Sequence, residues 1–227
     1  MSRALAVCCV SGGMDSAVTV ALASTEHRLA FLHADYGQRT EKKELECFHQ
    51  LGDRYRAEAR LVVDLPVLRA IGGSSLTDLG IRVREGEPEP GVIPTSYVPF
   101  RNAHLLSAAA SWGERIGASA IFVGAVWEDS SGYPDCRPEF YRAFEEAIRL
   151  GTKPETSLRI VHPVIRMTKA EIVRRGTELG VPFELTWSCY QAEDRACGVC
   201  ESCRLRLKGF REAGVADPIP YRSGAGA

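Results

Sequence analysis

Short apolar runs alternate along this 227-residue chain with longer stretches in which apolar residues recur every three or four positions. The runs are typical of buried β-strands, and the periodic stretches are typical of amphipathic helices. The runs predict strands over residues 4–10, 29–33, 61–63, 121–125 and 158–162. The periodic stretches predict helices just after residue 13 and over 40–55, 102–116 and 168–179. Because the two kinds alternate, we expect a doubly wound α/β fold, with a parallel sheet covered by helices on both faces.

Two of these helices carry more detailed signals. Thr168 and Glu171 have the spacing of a capping box, which predicts that a helix starts there. Apolar residues at helical spacing predict the faces that the two helices turn to the core. These residues are Leu105, Ala109, Trp112 and Ile116 in one helix, and Ile172, Gly176 and Leu179 in the other.

Residues 72–99 contain many Gly, Pro, Ser and Glu residues and little periodicity. The composition predicts a long loop, of the kind that is usually functional or disordered. Residues 223–227 are predicted to be a frayed end. The α/β alternation stops near Leu185, and cysteines concentrate beyond it, so we divide the chain into an α/β domain at 1–185 and a small metal-binding region at 186–227.

Charge and hydropathy bear on whether the protein binds nucleic acid or a membrane and on where in the cell it lies. The 28 basic and 29 acidic residues nearly cancel, which gives no overall electrostatic footprint for nucleic acid. The first apolar run is interrupted at residue 11, too early for a signal peptide, and no later run is long enough to span a bilayer. We therefore expect a cytoplasmic protein that binds neither nucleic acid nor membrane.

The sequence Ser-Gly-Gly-Met-Asp-Ser follows the first predicted strand and leads into a helix. A strand that ends at two glycines and restarts as a helix leaves several backbone N–H groups free at the positive end of the helix dipole, where an anion binds. The sequence is neither a Walker A loop nor a dinucleotide-binding glycine motif. A plain strand-to-helix turn is the alternative. The candidate ligand-binding residues are Ser11, Gly12, Gly13, Met14, Asp15 and Ser16.

Four of the eight cysteines follow a C-x7-C-x2-C-x2-C pattern near the end of the chain: Cys189, Cys197, Cys200 and Cys203. Four thiolates can close a tetrahedral shell around one Zn²⁺, with no open position for chemistry, so the pattern predicts a structural zinc. An iron–sulfur cluster is the competing interpretation, because four cysteines serve it equally well. Cys8, Cys9 and Cys47 lie at apolar positions and are predicted to be core residues.

Three further segments flank predicted elements. Asp-Tyr-Gly-Gln-Arg at 35–39 follows the second strand, Val-Pro-Phe-Arg-Asn at 98–102 precedes a helix, and Ser-Gly-Tyr-Pro-Asp-Cys-Arg at 131–137 follows the fourth strand. In an open parallel sheet, the loops at the carboxyl ends of the strands build the ligand crevice. We expect these segments to converge there with the Ser-Gly-Gly-Met-Asp-Ser loop.

The loop resembles the pyrophosphate loop (PP-loop) of the N-type ATP pyrophosphatases, which cut ATP between its α and β phosphates. Together with residues 186–190 and 197–206, these segments make residues 5–221 resemble the 7-cyano-7-deazaguanine synthase (QueC) family of queuosine biosynthesis. The resemblance implies a Rossmann-like, adenine nucleotide alpha hydrolase-like fold and a homodimer. It also implies an ATP-dependent ligase that converts 7-carboxy-7-deazaguanine and ammonia into the nitrile, through an adenylated carboxylate and then an adenylated amide, releasing AMP and pyrophosphate.

The resemblance also implies roles for single residues. Asp15 would hold Mg²⁺ on the phosphates of ATP or cap its helix, and Lys169 would neutralise phosphate charge or be a solvated lysine. Catalytic roles are implied for Asp15, Lys169, Arg101 and Arg137, and contacts with the deazaguanine for Arg101, Asn102, Tyr133, Asp135 and Arg137. Asp135 would accept from the guanine-like edge and Arg137 or Arg101 would pair with the substrate carboxylate, unless Asp135 and Arg137 pair with each other. Cys136 is predicted to be a packing residue.

Phe100 and Ser130 depart from residues common in that family, which puts the shape of the substrate pocket in question. Related enzymes that stop at the amide, or join the acid to another amine, are therefore a rival prediction. Transfer-RNA thiolation enzymes share the loop but need a nucleic-acid surface, and glutamine-dependent amidotransferases need a glutaminase domain. A non-catalytic zinc-knuckle interaction module is a further rival, which the intact loop disfavours.

Overall fold

The computed structural model describes residues 3–87, 89, 91–127 and 132–222. Ser130 and Ser131, and the predicted frayed end at 223–227, lie outside the described residues. Within the described part of the chain, no helix combines the length and the apolarity that crossing a membrane requires.

Five parallel strands form one sheet. They are β1 (Leu5–Cys9), β2 (Arg28–Asp35), β3 (Ala59–Asp64), β4 (Ala120–Val123) and β5 (Arg159–Val161). Their order is β3-β2-β1-β4-β5, so all five predicted strands and the doubly wound parallel sheet are confirmed. The direction of winding reverses between β1 and β4. In open α/β sheets, this switch point is where ligands bind.

Seven helices connect and cover the strands in the described residues. They are α1 (Met14–Ser24), α2 (Glu41–Arg54), α3 (Pro66–Ile71), α4 (Arg101–Ile116), α5 (Pro138–Gly151), α6 (Lys169–Glu178) and α7 (Glu201–Ala213). The predictions of α1, α2, α4 and α6 are confirmed, whereas α3, α5 and α7 were not predicted. Short 3₁₀ turns occupy Pro134–Cys136 and Phe183–Leu185.

The core has one layer on each face of the sheet, as the alternation along β1 shows. Ala6 and Cys8 contact the layer built with α1, α2 and α6, while Val7 and Cys9 contact the layer built with α4 and α5. Cys8 and Cys9 are therefore core residues, as predicted, and Cys47 is buried beside the four-cysteine cluster.

The predicted helix faces hold in α6 and hold in part in α4. Thr168 and Glu171 form the capping box, and Ile172 and Gly176 are buried. In α4 only Ala109 of the predicted stripe is fully buried. The deepest apolar residues of α4 are Ala103, Leu106, Ala109 and Ala110, while Leu105, Trp112 and Ile116 pack at the margin of the same core.

Residues 72–99 contain no helix or strand among the described positions, as predicted, but the segment is anchored at several points. The Arg39 side chain donates to the carbonyl oxygens of Ser75, Asp78 and Ile81. The Gly86 N–H donates to Val199, which joins the loop to the cysteine region. The division of the chain at residue 185 stays a prediction.

Candidate active site

A cavity of about 250 Å³ opens at the switch point between β1 and β4. Its walls come from the loop after β1, the ends of β2 and β4, the first turn of α4, the start of α6 and residues 187–206. The lining includes Ser11, Gly13, Met14, Asp15, Ser16, His33, Tyr36, Glu44, Arg101, Asn102, Tyr133, Cys136, Lys169, Ser188, Tyr190 and Arg206. The predicted convergence of the loop with residues 35–39, 98–102 and 132–137 is confirmed for the described residues.

The two serines of the loop after β1 form hydrogen bonds within the loop. Ser16 Oγ donates to the Gly13 carbonyl at 2.9 Å, and the Gly13 N–H lies 3.3 Å from Ser11 Oγ. Gly13 is the N-cap of α1 and makes no side-chain cap, so the first N–H groups of α1 face the cavity without a capping oxygen. A helix N-terminus of this kind binds phosphate oxygens.

Gly12 does not line the cavity, which differs from the expected close approach to an anion. A Cβ on Gly12 would lie 2.9 Å from the Glu44 carbonyl oxygen and 3.0 Å from Cys47 Cβ, and its φ of +82° is in the left-handed region. The glycine is required because the loop packs directly on α2. Gly124, which was not predicted, has the matching role on the other side, where a Cβ would meet the Ser16 backbone nitrogen at 2.7 Å.

Asp15 and Lys169 form an ion pair inside the cavity, with Lys169 Nζ 2.6 Å from Asp15 Oδ2. Lys169 is 8% exposed, so the alternative of a solvated lysine is wrong. Asp15 does not cap α1, because Gly13 holds that position and no side-chain cap is formed. Asp15 Oδ1 is buried and accepts no hydrogen bond from the described residues, which leaves an acceptor aimed at a cation or donor.

Arg101 is the first residue of α4 and lines the cavity. Its Nη1 donates to the Tyr36 hydroxyl at 2.9 Å, and its guanidinium lies 5.5 Å from the centre of the Tyr36 ring. Burial opposes the charge on Arg101, but the electrostatic influence of Tyr36, Tyr133 and Asp135 keeps its pKa above the ordinary value. Arg101 is therefore a permanent cation available to an anionic ligand.

Asp135 and Asn102 bind each other behind the cavity wall. Asp135 Oδ2 accepts the Asn102 backbone N–H at 2.9 Å, and Asn102 Nδ2 donates to the Asp135 carbonyl at 2.9 Å. Asp135 is 4% exposed and absent from the cavity lining. Burial raises the pKa of its carboxyl group. Asp135 thus caps α4 from another segment, and Asn102 presents its side chain near the cavity.

Arg137 lies outside the cavity. Its side chain is exposed, and its guanidinium stacks 5.7 Å from the centre of the Trp127 ring. Arg137 and Asp135 form no ion pair in the described structure, so that alternative is not supported. Tyr133 does line the cavity, where its hydroxyl donates to Ser96 Oγ at 2.9 Å.

Cys136 lines the cavity as a buried thiol. Burial raises the pKa of Cys136 to about 11. Asn102 Nδ2 lies 3.4 Å from its sulfur. A thiol with so high a pKa is a poor nucleophile, which supports the prediction of a packing residue.

The four cysteines of the C-x7-C-x2-C-x2-C pattern come together and are all buried. Their Sγ atoms all lie within 4.8 Å of one another. Backbone N–H groups point at the sulfurs, from Cys197 to Cys189 Sγ and from Cys200 to Cys197 Sγ, each at 3.3 Å. This donor set, with N–H groups that stabilise thiolates, fits a metal ion. The cysteine cluster is joined to the loop after β1, because the Trp187 backbone N–H donates to the Gly12 carbonyl at 2.8 Å.

His33 and Glu44 line the cavity but were not anticipated from the sequence, and Tyr190 and Arg206 were named only within the segments that carry the family resemblance. Arg206 is 1% exposed and is held by Asp217 through two hydrogen bonds of 2.8 and 2.9 Å. His33 Nδ1 donates to the Val10 carbonyl oxygen at 2.8 Å, and burial lowers the pKa of His33. Only the position of His33 at the end of a strand could have indicated its place in the cavity.

Comparison with known proteins agrees with this geometry. The chain is 58% identical over 217 residues to a 7-cyano-7-deazaguanine synthase of Chlorobaculum parvum, covering 95% of this chain and 96% of that one. It is 54% identical over 218 residues to a 7-cyano-7-deazaguanine synthase of a Sulfurovum species, covering 96% of this chain and 98% of that one. A U34-tRNA thiolase, NcsA, of Methanococcus maripaludis, solved with its 4Fe-4S cluster, shares the fold alone, with a TM-score of 0.50 and 10% identity over 80% of this chain and 58% of that one.

The model of one protein family, described as queuosine biosynthesis protein QueC, matches residues 5–214. The matched range includes both the Ser-Gly-Gly-Met-Asp-Ser loop, which lines the cavity, and the four cysteines of the neighbouring cluster. The chain therefore belongs to the queuosine biosynthesis protein QueC family.

Proposed function

We propose that this chain converts 7-carboxy-7-deazaguanine and ammonia into 7-cyano-7-deazaguanine at the expense of ATP, as a step of queuosine biosynthesis. The observation that carries the proposal is a single cavity in which the loop after β1 and the Asp15–Lys169 pair face Arg101. Adenylation of a carboxylate needs such an arrangement, with a phosphate site and a carboxylate site on either side of the reacting atoms. The names of the relatives give the product, 7-cyano-7-deazaguanine, and the acid is the substrate that the family resemblance implies.

The phosphate side of the cavity would bind ATP. The uncapped N–H groups at the start of α1, with Ser11 and Ser16, would hold the departing pyrophosphate. Lys169 would neutralise charge as the bond between the α and β phosphates breaks. The unpartnered Asp15 Oδ1 fits a Mg²⁺ ligand, and the ion would add positive charge on the phosphates.

The carboxylate side of the cavity would orient the acid. Arg101 would pair with the substrate carboxylate and hold it in line with the α-phosphorus, and Tyr133 would pack against the deazaguanine ring. These contacts favour Arg101 over Arg137, because the Arg137 side chain stacks on Trp127 outside the cavity. Asp135 acts on substrate through Asn102, whose position it fixes.

The chemistry proceeds in two activations. The adenylated carboxylate loses AMP to ammonia and gives the amide; the amide oxygen is then adenylated in turn and leaves as AMP, giving the nitrile. A closed cavity would keep water, a competing nucleophile, from the adenylates.

We further propose that the four cysteines hold one structural Zn²⁺. The ion would order the region that carries Trp187 and α7, with no open position for chemistry. An iron–sulfur cluster is the alternative, since the tRNA thiolase that shares the fold was solved with one. Metal analysis of purified protein distinguishes the two by finding one zinc, or iron, per chain.

A cytoplasmic homodimer completes the proposal. Light scattering after size-exclusion chromatography measures the oligomeric state directly.

The test of the activity is acid-dependent release of AMP. Purified protein with ATP, Mg²⁺ and ammonium is expected to release AMP and pyrophosphate only when 7-carboxy-7-deazaguanine is present. Release that ignores the acid, or no release, would contradict the proposal. Mass spectrometry of the product separates the nitrile from the amide and thereby tests the rival in which the enzyme stops early.

A further inference from the structure

Glu44 lies in the first half of α2 and lines the same cavity as the residues of the two proposed subsites. Its backbone carbonyl packs against Gly12, so its position is fixed relative to the phosphate loop. Arg101 lines the same cavity and is close enough to act electrostatically on the Glu44 carboxylate. Glu44 therefore shares the cavity with the arginine that is proposed to hold the substrate carboxylate.

The Glu44 carboxylate is held in place by neutral donors. Thr40 Oγ1 donates to Oε1 at 2.9 Å, and Gln38 Nε2 donates to Oε2 at 3.1 Å. Gln38 is itself fixed, because its Oε1 accepts the Tyr36 backbone N–H at 3.0 Å. Glu44 has no ion pair among the described residues, so its negative charge is oriented but not neutralised by contact. Each carboxylate oxygen can accept more than one hydrogen bond, which leaves capacity for a ligand.

We propose that Glu44 binds the ammonium ion and takes a proton from it, so that neutral ammonia is delivered to the adenylated acid. This role rests on the proposed function. An ammonium ion is small, carries one positive charge and has four N–H donors, which suits an oriented carboxylate without a basic partner. Among the described residues that line the cavity, the only other carboxylate is that of Asp15, which is paired with Lys169.

Every proton and electron pair in this step is accounted for. One N–H bond of the ammonium ion breaks and its proton goes to Glu44. The nitrogen lone pair then forms the C–N bond, the bond from carbon to the phosphate oxygen breaks, and that electron pair leaves with AMP. The second proton that the nitrogen loses goes to the phosphate of the departing AMP. Glu44 returns its proton to solvent before the next turnover.

The acidity of Glu44 suits this work. Burial, with a smaller effect of the negative charge of Asp35, raises the pKa of the Glu44 carboxyl group to about 7 against the opposing effects of Thr40, Gln38 and Arg101. A base is most useful when its pKa is near the working pH, since it is then both available and strong enough to hold a proton. The groups around Glu44 on α2, β2 and α4 are thus arranged to make it a base near neutral pH.

The test separates acid activation from amide formation in the full-length protein. Exchange of labelled pyrophosphate into ATP requires the acid but not ammonium, whereas steady AMP release requires both. Glu44→Gln is expected to keep acid-dependent exchange while losing about 10²- to 10⁴-fold in ammonium-dependent AMP release, the usual range for a missing general base. Glu44→Asp is expected to recover part of that loss. Hydroxylamine, which is unprotonated at neutral pH, is expected to trap the adenylate as the hydroxamate in Glu44→Gln as in the wild type.

Glu46→Gln is the matched control, because Glu46 lies on the same helix with an exposed side chain paired with Lys43. It is expected to behave as the wild type in every assay. Unchanged ammonium-dependent release in Glu44→Gln would overturn the inference, and so would loss of exchange and hydroxamate together, which marks a structural role. Absence of acid-dependent exchange in the wild type would instead overturn the proposed function, so the two failures are distinguishable.

Discussion

Lys169 Nζ and Asp15 Oδ2 lie 2.6 Å apart and join the first residue of α6 to the first turn of α1. A lysine at a helix N-terminus is opposed by the helix dipole, so Asp15 offsets an unfavourable position as well as a buried charge. Gly209 of α7 closes on the Lys169 backbone, where a Cβ would lie 2.7 Å from Lys169 Cβ. The ammonium group of Lys169 is thereby fixed at the phosphate side of the cavity.

Removal of that charge is expected to block activation of the acid. Lys169→Met should lower acid-dependent AMP release by about 10²- to 10³-fold, because the loss of one preorganised charge at a transition state has effects of this size. Arg175→Gln is the control, since Arg175 is an exposed residue of the same helix paired with Glu178. Nearly full activity in Lys169→Met would show that Lys169 serves only to balance Asp15.

Arg101 and Arg137 make a matched pair for the carboxylate subsite. Arg101→Gln should lose most acid-dependent pyrophosphate exchange, because the permanent cation in the cavity disappears. Arg137→Gln should retain it, because Arg137 is exposed against Trp127. The opposite ranking of the two variants would return the carboxylate contact to Arg137.

Asp135 is expected to act through the helix that it caps. Asp135→Ala should destabilise the protein by about 1–2 kcal/mol in denaturant unfolding, since the Asn102 N–H would lose its acceptor. Asp135→Asn retains an acceptor oxygen and should stay near wild-type stability. A higher KM for the acid in Asp135→Asn, with stability unchanged, would point to direct contact between Asp135 and the substrate.

Loss of the metal should loosen the cavity wall. Cys197→Ala combined with Cys200→Ala is expected to remove the bound metal, lower the thermal midpoint and weaken ATP binding, because residues 186–203 pack around the four sulfurs and reach Gly12 through Trp187. Cys47→Ala is the control, a buried cysteine of the same apolar cluster that is not among the four. Metal retained in the double variant would refute the assignment of the ligands.

The stability of the protein should depend on Glu44 in a defined pH window. Burial raises the folded-state pKa of Glu44 from 4.5 to about 7, so between these values the unfolded chain loses a proton that the folded chain keeps. The contribution of Glu44 is thus fully present below pH 4.5 and is lost as the pH rises to 7. The free energy of unfolding of Glu44→Gln, relative to wild type, should rise over this window and level off above it. A difference in the free energy of unfolding that does not change with pH would mean that folding does not shift the pKa of Glu44.

The parallel sheet could be predicted because its central strands β1, β2 and β4 are buried on both faces and appear as continuous apolar runs. Four helices were equally clear from periodicity or from a capping signal such as Thr168 with Glu171. Helix α7 was not predicted from the sequence: its N-cap, Cys200, and its third residue, Cys203, belong to the cysteine motif, and its buried apolar residues Leu205 and Phe210 lie beyond that motif. Helix α5 was not predicted either, although it is amphipathic and buries Tyr141 and Ile148.

Some residues of the candidate site could be predicted from the sequence and others could not. Residues that belong to a fixed motif, such as Ser11, Gly13 and the four cysteines, could be placed at the cavity or in the cluster from the sequence motif alone. Glu44 could not, because its place in the cavity depends on how α2 packs on Gly12. Asp135 lies in a suggestive segment, but only the fold shows that its carboxylate is used by the Asn102 backbone. Long-range packing decides which polar residues of a loop face a ligand and which hold the loop.

β1 pairs along one edge with β2, which follows it closely in sequence, and along the other edge with β4, which lies much further along the chain, with Ala6 opposite Ala120. Contacts between such distant residues form slowly and depend on earlier structure. The loop after β1 gains its last contact only when the Trp187 backbone N–H donates to the Gly12 carbonyl. A chain stopped before residue 187 would therefore display an open loop over a nearly complete sheet, and nucleotide binding would report the end of folding.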